Sequence, residues 1–424
     1  MGSVNIDNTG SGADVTLSSD GTDLLLDGTA IGGGGGAALE LYAENPSTPT
    51  APSATGTNAV AIGTGADATN SNTLSFGTDS TASGQHAVAF GKDAQALGNQ
   101  SVSIGNDTDS TGYQSVAIGP SARAISGSRA ISMAYSYASG EDSFAAAIAN
   151  NTANYGATGA NSVAMGYQAK ASQSYAFATG YQAQATSNTS IAMGFQSVSS
   201  GSQGVALGYK GQATGNKSFG VHNNANGGAT GTNSVAIGDN SLASSVNAIA
   251  IGQYAKADAN TSVAIGKYVD TKGIFGKFVF SAASLSGNAD GSSQSGKQVL
   301  MCDTTDATAE ALNAHNGTAS ATNQVILPNN SAYFFSGTCV ARESATDGTD
   351  MGAWEFKGCI RREANAGTTT LVSSTIDEFS APTGWSIALS ADTTNGGLAV
   401  TVTGAASTNI RWVATVHTSE VTYA

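Results

Sequence analysis

Residues 59–63 read AVAIG, and the pentapeptide returns as TLSFG at 73–77, AVAFG at 87–91, SVSIG at 101–105 and SVAIG at 115–119. Every step is fourteen residues. AISMA at 130–134 follows after a step of fifteen, and a degenerate unit lies at 144–149. SVAMG at 162–166 restarts the series, with AFATG, SIAMG and GVALG ending at Gly180, Gly194 and Gly208. SFGVH at 218–222 puts His222 where the motif has glycine, and SVAIG, AIAIG and SVAIG close the array at Gly238, Gly252 and Gly266. A fixed period sustained over half a chain means stacked copies of one supersecondary unit, here about fifteen one-coil repeats.

Within each motif the second and fourth positions are large and apolar and the others are small. That is period two, so each motif predicts a strand with one packed face, formed by the large residues. The motif glycine opens a turn, where a positive φ costs little. The remaining nine residues are rich in Asn, Ser, Thr, Ala and Gly and complete the coil. Glycine recurs too often for a helix. A fourteen-residue coil buries two or three apolar side chains, too few to offset its ordering entropy. Stacking coils helps, and trimerisation completes the remedy, with small Ser/Ala/Gly faces expected to approach one another at a threefold axis. At about 4.8 Å per coil the array would span roughly 70 Å.

The units resemble the head repeats of trimeric autotransporter adhesins, the YadA-like NSVAIG repeat. NSVAIG stands intact at 233–238, and at 161–166 with Met165 for isoleucine. The resemblance covers residues 57–272 and implies a homotrimeric left-handed parallel β-roll. The departures are the lack of a heptad stalk, of a basic and apolar leader at the start and of a membrane anchor at the end, so an autotransporter is not expected. With no run of 18 apolar residues, no transmembrane helix and no membrane insertion are expected.

Composition agrees. Charged residues are 11%, against about 25% in ordinary soluble domains, and glycine numbers 54 of 424. The net charge of −14 excludes electrostatic binding of nucleic acid and suits a soluble elongated particle. Cys302, Cys339 and Cys359 are odd in number and form no CxxC, which predicts buried free thiols made in a reducing compartment.

The flanks differ from the array. Residues 1–56 read as short alternating strands with glycine turns, then a glycine run at 32–36 and a stiff linker carrying Pro46, Pro49 and Pro52. Residues 273–424 hold all three Trp and longer alternating strands, among them SAYFFSGTCVAR, GAWEFKGCIRR and NIRWVATVHTSEV. Trp354, Phe356 and Ile360 share one face, as do Trp412, Ala414 and Val416, which predicts an antiparallel β-sandwich-like domain. The fold class expected is therefore all-β: a homotrimeric roll between an N-terminal β attachment segment and a C-terminal sandwich. This last segment, together with DVTLSSDGTDLLLDG near the start, is similar to bacteriophage tail-fibre proteins. That resemblance implies a virion protein assembled in the host cytoplasm. Its N-terminus would dock on a tail or baseplate protein, and its C-terminal domain would bind a host-surface receptor, with glycan one ligand class. A secreted or surface-anchored cellular trimeric adhesin is the alternative.

Candidate site residues are few. Tyr167, Tyr181, Phe195 and Tyr209 each follow a motif glycine and predict an aromatic ladder, which either stacks on sugar rings or stabilises the coil edge. Tyr254 and Tyr268 form a second pair. Asp79, Asp93 and Asp107 form a carboxylate column; Ca²⁺ or a neighbour such as Lys92 would relieve its like charges, and Lys92 is the simpler partner. His86, His222, His315 and His417 are dispersed, without HxH or HExxH, so no metal and no cofactor are expected. Glu141 is the sole glutamate in residues 51–300, too few carboxylates for a polysaccharide-cleaving groove, and no GxSxG or P-loop occurs, so no catalytic residue is assigned. The neighbours Glu355, Lys357, Arg361 and Arg362 suit a solvated strand face. Receptor binding is assigned to the irregular 343–352 loop and nearby cations: Glu343, Asp347, Asp350, Arg361 and Arg362.

Overall fold

The computed structural model describes residues 50–149, 153–221, 227–285 and 289–423, with five short strands before residue 50. The run 32–36, Pro46, Pro49 and His222 lie outside the described residues. The chain divides into two compact units, Met1–Ala146 and Ala147–Ala424.

In the first unit Val4–Ile6, Val15–Ser19, Leu24–Leu26 and Thr29–Ala30 pair antiparallel in chain order, as glycine-turned alternating segments should. Seven motif strands follow, from Val60–Ile62 to Phe144–Ala146. Each pairs in parallel with the next, one coil on: Val60↔Leu74, Leu74↔Val88, Val88↔Val102, Val102↔Val116, Val116↔Ile131 and Ile131↔Phe144. Two-residue strands such as Asp67–Ala68, Thr81–Ala82 and Gln95–Ala96 stack into a second parallel sheet. The second unit repeats the plan with eight motif strands, Val163–Met165 to Val263–Gly266. Each coil is thus two short strands joined by two turns, and the turns use left-handed backbone. Asn72, His86 and Gln100 have φ of 56° to 59°, and Asp79, Asp93 and Asp107 have 54° to 55°. At Gly77, φ +133°, a Cβ would sit 2.3 Å from the Gly91 carbonyl oxygen, so successive backbones meet there without room for a side chain.

The interior reverses one expectation. The buried face of each motif strand is its small central residue: Ala61, Ala89, Ala117, Ala164, Ala192 and Ala236 have no accessible surface, nor do Ser75 and Ser103. They meet Ala68, Ala82, Ala96 and Ala243 of the opposite sheet. The serines are satisfied inside, Ser103 Oγ donating to the Thr108 carbonyl at 3.0 Å. The large second and fourth residues, read from the sequence as the packed face, point out of the protomer: Phe90 is 48% exposed and Met193 40%. The physical reason is width. A regular fourteen-residue coil with a two-residue strand opposite a three-residue one holds two layers of methyls or hydroxyls; larger buried side chains, Ile148 and Val269, occur only where the coil departs from the regular pattern. The outer face of the second sheet is by contrast mostly polar, carrying Asp67, Thr81, Gln95, Lys170, Gln184 and Lys256, with Tyr137, Val198 and Leu242 as its apolar members.

At the end of the array Phe278–Ser281 adds to the motif sheet in parallel, Val263↔Phe278 and Ile265↔Phe280, and then pairs antiparallel with Ser293–Thr304. From there the sheet continues through Ile410–Thr422, Ser331–Glu343 and Met351–Arg362 to Thr370–Ser380. A second sheet centred on Gly397–Thr403 pairs with Ala309–Ala311, Val325–Ile326 and Ser386–Asp392. The core between them holds all three Trp, with Trp412 flanked by Trp354 at 5.5 Å and Trp385 at 5.6 Å between ring centroids. The faces read from alternation are the buried ones: Trp354, Phe356, Ile360, Trp412, Ala414 and Val416 all lie in this core.

Candidate functional site

The aromatic column is built by the period itself. Tyr167, Tyr181, Phe195 and Tyr209 stack with centroids 5.0, 4.9 and 5.1 Å apart and planes within 10°. Each inner ring therefore spends both faces on its neighbours. At the Tyr209 end Lys210 Nζ lies 5.4 Å from the ring centroid. A sugar stacks on a ring face, and this column offers solvent mainly edges, so its geometry favours stabilising the coil edge. Tyr254 and Tyr268 stack likewise at 4.9 Å. Beside the first column runs an amide ladder that the sequence reading passed over. Gln196 Nε2 donates to Gln182 Oε1 and Gln182 Nε2 to Gln168 Oε1, both at 2.8 Å. Glutamine two residues after successive motif glycines was the available signal.

Two members of the carboxylate column, Asp93 and Asp107, have partners in the chain. Lys92 Nζ is 3.5 Å from Asp93, and Ser121 Oγ donates to Asp107 Oδ2 at 3.2 Å. Among the described residues no group of His, Cys, Asp or Glu is arranged to hold a metal.

The residues assigned to receptor binding fall into two places. Glu343, Asp347 and Asp350 come together. Glu343 Oε2 accepts the Asp350 N–H at 3.1 Å, and Arg342 Nη1 donates to the Asp350 carbonyl at 3.0 Å. The Asp347 carboxylate accepts the Asn409 N–H at 2.9 Å and its Nδ2 at 2.8 Å, which holds it below the usual carboxylate range. Asp303, Arg342, Glu343, Asn409 and Arg411 line a groove beside this loop. Arg361 and Arg362 stand at the other end of the strand Met351–Arg362, roughly 36 Å away. Arg362 Nη1 donates to the Leu327 carbonyl at 2.7 Å, tying the two sheets together.

A buried ionic cluster where the roll meets the sandwich had no local sequence signal. Lys277 Nζ lies 2.7 Å from Glu420 Oε1, with side chains 6% and 0% exposed. Gln294 Nε2 donates to Glu420 Oε2 at 2.8 Å and Thr418 Oγ1 to Oε1 at 2.7 Å. Burial pushes the Glu420 pKa up, but Lys277 and Lys272 outweigh it and hold the carboxyl below its ordinary value. Burial lowers Lys272 itself to about 8. Cys302 and Cys339 are buried free thiols, pushed up to about 12 by desolvation; Cys359, expected buried, is exposed because it lies on the outer face of the sheet.

The YadA head domain repeat matches at residues 54–80, 82–108, 110–131, 157–183, 185–210, 229–255 and 243–268. The repeat array belongs to the YadA head domain family. No curated protein matches the chain. The YadA head fold is structural and non-catalytic, and the array is an adhesin-type fibre. Its ladders of Tyr, Gln and Asn are the side-chain counterpart of its backbone stacking, as Asn58 Nδ2 donating to Asn72 Oδ1 at 3.1 Å illustrates.

Proposed function

We propose that three copies of this chain form a structural, non-enzymatic virion fibre, a bacteriophage tail fibre that attaches the particle to its host. The observation that carries the trimer is the asymmetry of the two sheets. Within each unit the motif sheet turns Val, Ile, Phe and Met outward, while the other sheet turns out mostly polar residues such as Asp, Gln, Lys and Thr. An apolar face spanning seven or eight stacked strands in each unit is covered in solution, and a second and third copy present the matching face. In this reading the N-terminal strands dock on a tail or baseplate protein, and the roll is a spacer. The loop bearing Glu343, Asp347 and Asp350 contacts the host-surface receptor. Support for the phage context is the fusion of head repeats, through one shared sheet, to a compact sandwich with irregular loops. The family of the repeats favours the second reading, a cellular trimeric adhesin.

Mass spectrometry of purified virions separates the two. The chain is expected among the structural proteins, and its recovery only from cell envelopes would establish the cellular reading instead. Sedimentation should give a particle of three times 41.9 kDa. Ile237→Asp, on the outward face, should yield folded monomers, because a carboxylate then enters the intersubunit face three times over. A stable wild-type monomer at micromolar concentration would refute the trimer.

A further inference from the structure

We infer that the outward face of the five-stranded C-terminal sheet is a second contact surface between copies of this chain, continuous with the apolar face of the roll. The inference rests on the trimer reading and extends it to the domain that reading leaves free. Register carries the continuity. Val263 pairs with Phe278 and Ile265 with Phe280, so the two phenylalanines lie on the outward face of the motif sheet; Val279 between them is buried with the alanines of the roll. Phe278 then pairs with Lys297 and Phe280 with Ser295, which carries the same face into Ser293–Thr304 without a break.

On that face the cross-strand row Met301, Val413, Val340 and Ala353 is apolar, and Phe334 stands on the same side. Val413, Val340 and Phe334 are 46%, 49% and 51% exposed. The opposite face of the four strands from Ser293–Thr304 to Met351–Arg362 is closed by the Trp core, so among the described residues these side chains have no cover. Charge points to a second copy as the occupant. Glu355 stands directly opposite Asp377, a like-charge pair, while Lys297, His417 and Lys357 form one row beside it. Among the described residues Glu355, Asp377, Lys297 and Lys357 make no ion pair. Both signs on one face suit a heterologous contact, in which the acidic pair of one copy meets the basic row of the next.

Cys359 lies on this face, between Phe334 and Ser373, and is a native probe of it. The full-length wild-type protein would be treated with N-ethylmaleimide, and each cysteine read by peptide mass spectrometry beside a sedimentation run on the same sample. Expected is a trimer in which Cys359 reacts more than about tenfold slower than in the urea-unfolded chain. The Ile237→Asp monomer should restore the fast rate at Cys359 alone, with Cys302 and Cys339 still protected. A trimer in which Cys359 reacts at the unfolded rate overturns this surface and leaves the roll trimer standing. A wild-type monomer overturns both.

Discussion

Ala236→Asp is expected to unfold the coil that contains it and to destabilise its neighbours by several kcal/mol. Ala236 has no accessible surface and packs among Ala243, Ala250 and Ala257. A carboxylate there has neither a counter-charge nor water. Room is also lacking. At Gly220, which pairs with Ala236 in the coil before, even a methyl carbon would lie 1.9 Å from the Gln212 carbonyl oxygen. Ala236→Ser is the matched control. Serine occupies the same motif position at 75 and 103 with no accessible surface, so its cost should stay within about 1 kcal/mol. Thermal melts and limited proteolysis read both variants. An aspartate variant that melts with the wild type would mean that the small face is not the interior. The adjacent Ile237→Asp acts differently, through assembly and not through the fold of the single chain.

Glu420→Gln should cost about 3–5 kcal/mol of the C-terminal domain's stability at neutral pH. The substitution keeps the shape and removes the countercharge of Lys277, which is almost fully buried beside it. The sign of the pH dependence follows from the lowered pKa. A carboxyl held below its ordinary 4.5 adds stability above that value and loses it as pH falls through the lowered one. The gap between wild type and variant should therefore be widest near neutrality and shrink below about pH 4. Denaturant melts at pH 7 and pH 3.5 measure it, and a gap independent of pH would show that Glu420 acts by shape alone.

Much of this was legible in the residues. The step from Gly63 to Gly77 to Gly91 marks the coils, because a repeat that must stack on itself repeats its turns. The alternation in Trp354, Phe356 and Ile360 marks the sandwich face, because there the large residues are on the inside. The candidate site was less legible. Glu343, Asp347 and Asp350 are neighbours in sequence and in space, but Arg361 and Arg362 are separated from them by a whole extended strand.

The sequence by itself determined the period, the strand positions, the turns and the family of the array, all of which are local or repeated at a constant spacing. Only the tertiary structure decided which face of AVAIG is interior. Alternation defines two faces but not the width of the space either one enters, and that width depends on the strand across the coil. It also decided the burial of Lys277 against Glu420, 143 residues apart, since a pair so distant leaves no pattern along the chain.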